Sequence, residues 1–280
     1  MKKGNGTKRI LVIHHSGSGS TRTIAEVICD KLSGSFDVEI APITIRSDFD
    51  FKKIQDADMI VFGSPTFNCR PSRSMLEFIE RVPKQKFPKR GYIFMTCGLY
   101  LSNAMRILAK RLYDKNIVTL GYERFRGPGS DGALLFPSSI KFIFRYERGV
   151  KEKIEKVLSD IEGGLKVEAK RPKMPVYSWY APINDIFSYF GEKTYKKYSR
   201  NIHVVSERCK NCNTCVKGCI RGCWEEGEIT PSFDPENCEL CLKCVHNCPE
   251  KAIAFSKAMM DRPRLNRKFY RHLKKGLLSA

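Results

Sequence analysis

The stretch RILVIHHSGSGST, residues 9–21, is an apolar run that ends in small and hydroxyl-bearing residues. A short apolar run bounded by glycines is typical of a buried strand. From Thr21 to Leu32 the apolar residues then recur at three- and four-residue steps, which predicts a helix. The stretch therefore predicts a strand, a loop and a helix, the repeating unit of a parallel α/β sheet.

The same alternation continues along the first part of the chain, and we expect a doubly wound parallel sheet there. The predicted strands are Ile10–His14, Val38–Ile43, Met59–Gly63, Tyr92–Thr96 and Val118–Phe125. The predicted helices are Thr21–Leu32, Ser72–Val82, Asn103–Leu112 and Lys151–Ile161.

The loop after the first strand has the composition of a phosphate site. Glycines let the backbone approach an anion closely, and amides at the start of a helix donate hydrogen bonds to it. The loop has neither the Gly-x-Gly-x-x-Gly pattern nor the lysine of a P-loop, which favours a phosphate monoester over a dinucleotide or a nucleoside triphosphate. The alternative is a turn without a ligand. The candidate phosphate residues are Ser16, Ser18, Gly19, Ser20 and Thr21.

Two later strand ends bring further candidates to the same edge of the predicted sheet. The third strand runs into Ser64–Asn68 and the fourth into Thr96–Tyr100. With the Ser/Gly-rich loop, these segments resemble the flavodoxins, in which ligands lie at the carboxyl ends of the strands. The resemblance implies FMN, with Phe67 and Tyr100 stacking on the ring, although core packing of each aromatic is an equal alternative. It also implies polar contacts to the ring edge from Thr66, Asn68 and the backbone around Gly98, and places Pro65, Thr96 and Cys97 among the cofactor-binding residues. Residues 127–132 are expected to form a further loop at the flavin rim.

Eight cysteines near the C-terminus form two runs with the spacing C-x2-C-x2-C-x3-C. This is the ligand spacing of bacterial two-cluster ferredoxins, in which the fourth cysteine of each run binds the other run's cluster. The sequence therefore predicts two 4Fe-4S clusters. One set of ligands is Cys209, Cys212, Cys215 and Cys248, and the other is Cys238, Cys241, Cys244 and Cys219.

Zinc is the alternative metal, because paired C-x2-C units also suit tetrahedral sites. Each run has a third and a fourth cysteine beyond one C-x2-C pair, which zinc sites of this type do not need. The spacing therefore favours iron-sulfur clusters over zinc. Disulfides are disfavoured because the N-terminal apolar run is too short for a secretory signal, so we expect a cytoplasmic protein. Cys223 lies four residues beyond Cys219. By spacing we expect Cys219 to be the ligand and Cys223 a buried bystander, with an exchange of the two left open.

Together, the two halves resemble the ferredoxins with an N-terminal flavodoxin region, the EFR1 family. The resemblance implies a flavodoxin-like domain at residues 1–169 and a small α+β two-cluster ferredoxin-like domain at residues 202–256. Between them, residues 170–201 read as a connector whose aromatics we expect to pack on the domains: Trp179, Tyr180, Phe187, Tyr189 and Phe190. Residues 257–280 form a basic tail with an apolar stripe of Leu265, Phe269, Leu273 and Leu277, at helical spacing.

The chain has 280 residues and a formal net charge of +20, which predicts attraction to an acidic redox partner. No nucleic-acid motif accompanies the charge, so we expect no nucleic-acid binding. No stretch is apolar over the ~20 residues that a membrane-spanning helix needs. For the tail, we expect docking on the protein's own surface, with weak contact to an anionic membrane as the alternative.

A chain with these cofactors is expected to relay electrons, since a flavin takes one or two electrons and each cluster passes one. A second hypothesis is an FMN-dependent reductase of a small quinone or flavin, fed by the clusters. A third is a binding module whose clusters stabilise the fold and whose flavin loop is empty.

Overall fold

A computed structural model describes residues 7–43, 48–179, 196–254 and 259–279. Its main element is a parallel sheet in the order β2-β1-β3-β5-β6. The strands are β1 (Arg9–His14), β2 (Asp37–Pro42), β3 (Met59–Phe67), β5 (Lys89–Cys97) and β6 (Ile117–Arg126), and the two-residue β4 (Arg70–Pro71) turns back antiparallel to β3. This order is that of a doubly wound fold, as predicted.

Helices cover both faces of the sheet. They are α1 (Ser20–Leu32), α2 (Lys52–Asp56), α3 (Arg73–Arg81), α4 (Ala104–Asp114), α5 (Gly132–Leu135) and α6 (Val150–Leu165). Two cores result. Alternate strand residues pack against α3 and α4 on one face, as Leu11 and Phe62 do, and against α1 and α6 on the other, as Val12 and Phe94 do. Central strands buried on both faces explain why the strands read as continuous apolar runs.

The structure extends some predicted elements. β3 continues beyond Gly63 to Phe67, because the antiparallel pairing with β4 satisfies its backbone there. The helix α2 was not predicted, since a single residue of its five, Ile54, is buried and gives it no periodic pattern.

The C-terminal cysteine-rich part contains two short antiparallel pairs and two one-turn helices. β7 (His203–Val204) pairs with β10 (Ile253–Ala254), and β8 (Trp224–Glu225) pairs with β9 (Ser232–Phe233). The helices are Thr214–Gly218 and Lys243–Asn247. Few residues of this part lie in regular structure. Its hydrophobic core is small and consists of residues around the buried Trp224, with several of the cysteine side chains packed against them.

The two cysteine runs have the same local backbone. In each run, the second and the fourth residues after the first cysteine are left-handed: Asn211 and Asn213 with φ of 47° and 55°, and Leu240 and Leu242 with φ of 53° and 58°. The fourth residue then precedes the one-turn helix of its run. The matching spacing therefore corresponds to a repeated conformation.

The C-terminal helix, Arg267–Leu278, packs against the N-terminal domain as the tail was expected to do. Asn266 caps it by accepting a hydrogen bond from the Phe269 amide at 3.0 Å. Leu273 and Leu277 join the core formed by α1 and α6, and Lys274 pairs with Asp30 at 2.8 Å and with Glu26 at 3.3 Å. The apolar stripe of the tail is thus covered by the chain itself.

The connector is described in part. Trp179 is 82% exposed, and its packing on the domains stays a prediction, whereas Tyr180, Phe187, Tyr189 and Phe190 lie outside the described residues. Within the described part of the chain, no helix has the length and apolar character needed to cross a bilayer.

Candidate functional site

The Ser/Gly-rich loop lies between β1 and α1, where its amides start the helix. Gly19 caps α1 with a φ of 147°, a conformation that side chains disfavour. A Cβ at Gly19 would also lie 2.4 Å from the Tyr270 ring of the C-terminal helix. The positive φ and the close approach of the Tyr270 ring both require glycine at position 19.

The hydroxyl groups of the loop are held by surrounding elements. Thr21 Oγ1 in the first turn of α1 and Thr96 Oγ1 near the end of β5 are 2.8 Å apart and share a hydrogen bond. Ser18 Oγ bonds the Tyr270 hydroxyl at 2.9 Å, and Ser16 Oγ accepts from the Arg22 amide at 3.2 Å. The loop is therefore preorganised, with its small residues fixed from three sides.

A cavity of about 240 Å³ opens at the carboxyl ends of β1, β3 and β5. This is the edge at which doubly wound sheets bind ligands. The N-terminal domain contributes Ser16, Gly17, Ser18, Ser20, Thr21, Pro65, Thr66, Phe67, Thr96, Cys97, Gly98, Pro128, Gly129, Ser130, Asp131 and Leu135 to its lining, and later parts of the chain contribute Tyr198, Leu240, Leu242 and Met259.

Most of the predicted flavin residues meet in this cavity, but three do not line it. Gly19 packs behind the loop against Tyr270. Tyr100 is 69% exposed and lies beside a different groove, with Leu101 and Ser102. Asn68 has a φ of 47° in the turn between β3 and β4. The stacking role of Tyr100 and the polar role of Asn68 stay predictions.

The cavity wall also contains residues that the sequence did not reveal. Residues 128–131 lie at the rim as expected for that loop, but Tyr198, Met259, Leu240 and Leu242 come from the connector, the tail and the second cysteine run. One sequence signal was available for the two leucines. They occupy the left-handed positions that asparagines occupy in the first run, and leucine is an unusual choice there.

Cys97 is the thiol that lines the cavity from β5. Burial raises its pKa to about 11, so the thiol keeps its proton at neutral pH. It therefore acts as a small apolar wall residue.

The eight cysteines of the two runs gather in two groups, each around its own small cavity of about 20 Å³. The first cavity is lined by Cys209, Cys212, Cys215 and Cys248. The second is lined by Cys238, Cys241, Cys244 and Cys219, with Cys223 beside them. The exchange of the fourth cysteine between runs is the grouping that the spacing predicted.

Backbone amides point at the sulfur atoms in the same pattern in both runs. The first cysteine accepts from the amide two residues on, Asn211 to Cys209 at 3.4 Å and Leu240 to Cys238 at 3.3 Å. The fourth cysteine accepts from the amide four residues on, and the distance is 3.3 Å at Cys219 and 3.2 Å at Cys248. Such bonds favour thiolates and tune the potential of an iron-sulfur cluster.

Cys219 and Cys223 lie together at the second cavity. A hydrogen bond from the Cys223 thiol lowers the pKa of Cys219, and the bonds of Cys223 to Cys219 and to Cys238 raise the pKa of Cys223. The role of Cys219 as the ligand stays a prediction.

Among the described residues, no three His, Cys, Asp or Glu side chains converge as the ligands of a single metal ion would. Four thiolates around one zinc ion each lie ~2.3 Å from the same centre. The thiolates of a 4Fe-4S cluster bind four different iron atoms, so they stand further apart. The two groups of four thiols, with their amide donors, have the donor chemistry that such a cluster needs.

The second cysteine run contacts the N-terminal domain through Glu239, which follows Cys238. The Glu239 carboxylate accepts from the Ser74 amide at 3.1 Å and the Ser74 hydroxyl at 3.0 Å, at the start of α3. His15 Nε2 lies 3.2 Å from Glu239 Oε1 without the alignment of a hydrogen bond. Arg221 adds a hydrogen bond to Asn237 O at 3.0 Å and an ion pair with Glu77.

His246 joins three segments next to the second group of cysteines. The Leu265 amide donates to its Nδ1 at 3.1 Å, so Nε2 carries the hydrogen and donates to Ser130 O at 2.8 Å. Burial lowers the pKa of His246 to about 4, which keeps the ring neutral. His246, in the second cysteine run, therefore links the cavity rim at Ser130 to the tail at Leu265 by hydrogen bonds.

Comparison with known proteins agrees with the fold of the first domain. A family model described as a flavodoxin domain matches residues 11–121. The N-terminal domain is thus flavodoxin-like, an α/β fold with a parallel sheet.

Several solved flavodoxins are similar to this part of the chain. A flavodoxin from the domain Archaea is 18% identical, with 57% of this chain and 99% of that chain covered and a TM-score of 0.40. Flavodoxin 1 from Bacillus cereus is also 18% identical over 57% and 99% of the two chains, with a TM-score of 0.41. A WrbA-like flavodoxin from Agrobacterium tumefaciens is 14% identical over 58% and 100%, with a TM-score of 0.40.

Proposed function

We propose that this protein binds FMN and two 4Fe-4S clusters, and that it relays electrons between these cofactors and a partner oxidoreductase. The observation that carries the proposal is the grouping of the cysteines. Cys248 lines one cavity with cysteines of the first run and Cys219 lines another with cysteines of the second run, which is the grouping that a two-cluster ferredoxin would use.

The flavin would occupy the cavity at the ends of β1, β3 and β5. The preorganised hydroxyls of Ser16, Ser18, Ser20 and Thr21, with the amides at the start of α1, would hold its phosphate. Thr66, Phe67 and the backbone at Gly98 would contact the ring. When bound, FMN supplies the capacity to take up one or two electrons.

The protein's own residues would orient the cofactors and keep water from them. Gly98 and Gly129 approach each other across the cavity, where a Cβ on Gly98 would lie 3.6 Å from Gly129 Cα. The loops after β5 and β6 therefore close one side of the site. Phe67 and the two leucines of the second cysteine run supply apolar wall.

The partner is proposed to be an acidic redox protein in the cytoplasm, because a net charge of +20 attracts negatively charged surfaces. Weak contact with an anionic membrane is a lesser proposal, since the apolar face of the C-terminal helix is already covered by the protein. Binding to either should weaken as salt screens the charges.

Strictly anaerobic purification followed by a visible spectrum and by assays of iron, sulfide and FMN tests the proposal. About eight iron and eight sulfide per chain are expected from two clusters, with about one FMN. Colourless protein that contains zinc would contradict it. Clusters without FMN, even after incubation with the flavin, would leave a cluster protein in which the clusters stabilise the fold.

The same preparation separates the relay from an FMN-dependent reductase. A reductase would need room for a small quinone or flavin beside the ring, and it would turn that substrate over steadily with a low-potential electron donor. A relay is expected to be reduced and reoxidised by redox proteins while small quinones react slowly and without saturation.

A further inference from the structure

We infer that the cluster held by Cys238, Cys241, Cys244 and Cys219 is the flavin's direct electron partner, and that the other cluster exchanges electrons with the outside. For brevity these are the inner and the outer cluster. The inference rests on the proposed function and assigns a separate role to each cysteine group.

The loop proposed to hold the flavin phosphate touches a ligand of the inner cluster. A Cβ on Gly17 would lie 2.8 Å from the carbonyl oxygen of Cys241, 3.2 Å from its Cβ and 3.3 Å from the Phe67 ring. Glycine leaves space for this approach and any other residue would force the loops apart. The two cofactor loops are therefore in direct contact.

Two residues of the inner run also form part of the flavin cavity. Leu240 and Leu242 lie between the ligands of the inner cluster and line the cavity beside Phe67 and Gly98. Both are left-handed, a conformation that asparagine tolerates better than leucine. Asn211 and Asn213 occupy the equivalent positions of the outer run. Strained leucines at these two positions indicate that their apolar side chains have a role, which we assign to the flavin wall.

The outer cysteine group differs in its relation to the flavin cavity. Among the described residues that line the small cavity of the outer group, none also lines the flavin cavity, whereas Leu242 lines both the inner group's cavity and the flavin cavity. Cys212 is exposed, whereas Cys209, Cys215 and Cys248 are half-buried. A redox protein could therefore approach the outer cluster closely, and electron transfer becomes steeply slower with distance.

The resulting sequence of steps moves one electron at a time. A reduced one-electron carrier protein would give an electron to the cluster held by Cys209, Cys212, Cys215 and Cys248, and would itself be oxidised. The electron would then move to the cluster held by Cys238, Cys241, Cys244 and Cys219 and from there to the flavin, so each donor would be oxidised as its acceptor is reduced. The reverse order applies when the flavin is the electron source.

A matched pair of double variants tests the flavin wall. Leu240→Ala with Leu242→Ala should weaken FMN binding by about tenfold, because removing apolar contact costs affinity. Asn211→Ala with Asn213→Ala alters the equivalent positions of the outer run and should leave FMN affinity unchanged. Fluorescence titration of the anaerobic protein measures both constants. Equal affinities in the two double variants would overturn the assigned wall.

Laser-flash photoreduction tests the order of the carriers directly. An amine donor gives the excited flavin one electron, and the absorbance then reports the passage of that electron to a cluster. Cys241→Ser should abolish the fast phase, whereas Cys212→Ser should retain it, with iron analysis confirming which cluster each variant lacks. Loss of the fast phase in Cys212→Ser alone would reverse the assignment, and equal loss in both would refute it.

A third comparison does not depend on losing a cluster. Gly17→Ala should slow the fast phase by pushing the loops apart, while Gly34→Ala, where no atom lies within 4 Å of an added Cβ, should leave the rate unchanged. Wild-type protein that contains clusters but no FMN would instead refute the proposed function, so the two failures are distinguishable.

Discussion

His15 and Glu239 place a buried imidazole 3.2 Å from a buried carboxylate, across the boundary between the flavodoxin-like domain and the cysteine-rich domain. His15 immediately precedes the Ser/Gly-rich loop, and Glu239 lies between two cysteines of the second run. The Glu239 side chain is 4% exposed and accepts two hydrogen bonds from Ser74. A single acidic residue thus connects the two candidate cofactor sites.

Glu239→Gln should destabilise the protein by about 2 kcal/mol, because hydrogen bonds to a buried charged group are among the strong ones. The matched control is Glu236→Gln in the same segment, where the side chains of Glu236 and its partner Arg200 are both 64% exposed. That change should stay within ~0.5 kcal/mol. Urea unfolding of anaerobic protein measures both, and equal losses would rule out the proposed importance of Glu239.

Tyr270→Phe should weaken FMN binding by about fivefold, since one hydrogen bond contributes ~1 kcal/mol. The Tyr270 hydroxyl holds Ser18 at 2.9 Å from behind the loop and does not line the cavity, so the effect is on the position of the loop. Tyr113→Phe, at an exposed residue of α4, is the control. An unchanged FMN dissociation constant for Tyr270→Phe would show that the loop keeps its shape without the bond.

Cys219→Ser should reduce the iron content by about four atoms per chain, the content of one cluster. Cys223→Ser should keep the full iron content, because the C-x2-C-x2-C-x3-C spacing of the first run ends at Cys219 and not at Cys223. Iron analysis and paramagnetic resonance of the reduced proteins give the answer. The opposite result would mean that the inner cluster uses Cys223.

The stability of the protein should decrease in acid partly because of His14. Burial lowers the pKa of this buried histidine from 6.5 to about 3, so the folded protein keeps the ring neutral while the unfolded chain binds a proton below 6.5. The free energy of unfolding therefore falls as the pH drops from 6.5 towards 3.

For His14 alone the loss should be about 2 kcal/mol at about pH 5. His14→Gln removes this part of the slope, while His15 and His246, whose pKa values are also lowered by burial, retain theirs. Urea unfolding of both proteins at neutral pH and at about pH 5 measures the difference. Parallel losses in the two proteins would contradict the assignment.

Local patterns predicted much of the fold. The apolar runs of β1, β3 and β5 appear as buried strands because a central parallel strand has neighbours on both faces. The interleaved grouping of Cys219 and Cys248 was predicted from the repeated C-x2-C-x2-C-x3-C spacing, although each of the two lines a cavity with thiols of the other run, which is distant in sequence.

Contacts between distant segments could not be predicted in this way. Ser18 and Tyr270 are 252 residues apart, and nothing at either position identifies the other. The same holds for Glu239 and Ser74. Tyr100 is a different case. Its position after a strand predicted stacking on the flavin, but its side chain is exposed. No sequence pattern specifies the direction of the loop in which it lies.

The close approach at Gly17 has a consequence for how this protein can change. Since an added methyl group there would collide with the backbone of Cys241, a loop that replaces Gly17 by a larger residue would need a matching shift of the Cys241 loop. Engineers who graft either module onto a new partner would therefore have to keep glycine at this contact or transplant both loops as one unit. The same mutual restriction should make paired substitutions at this junction more tolerable than single ones.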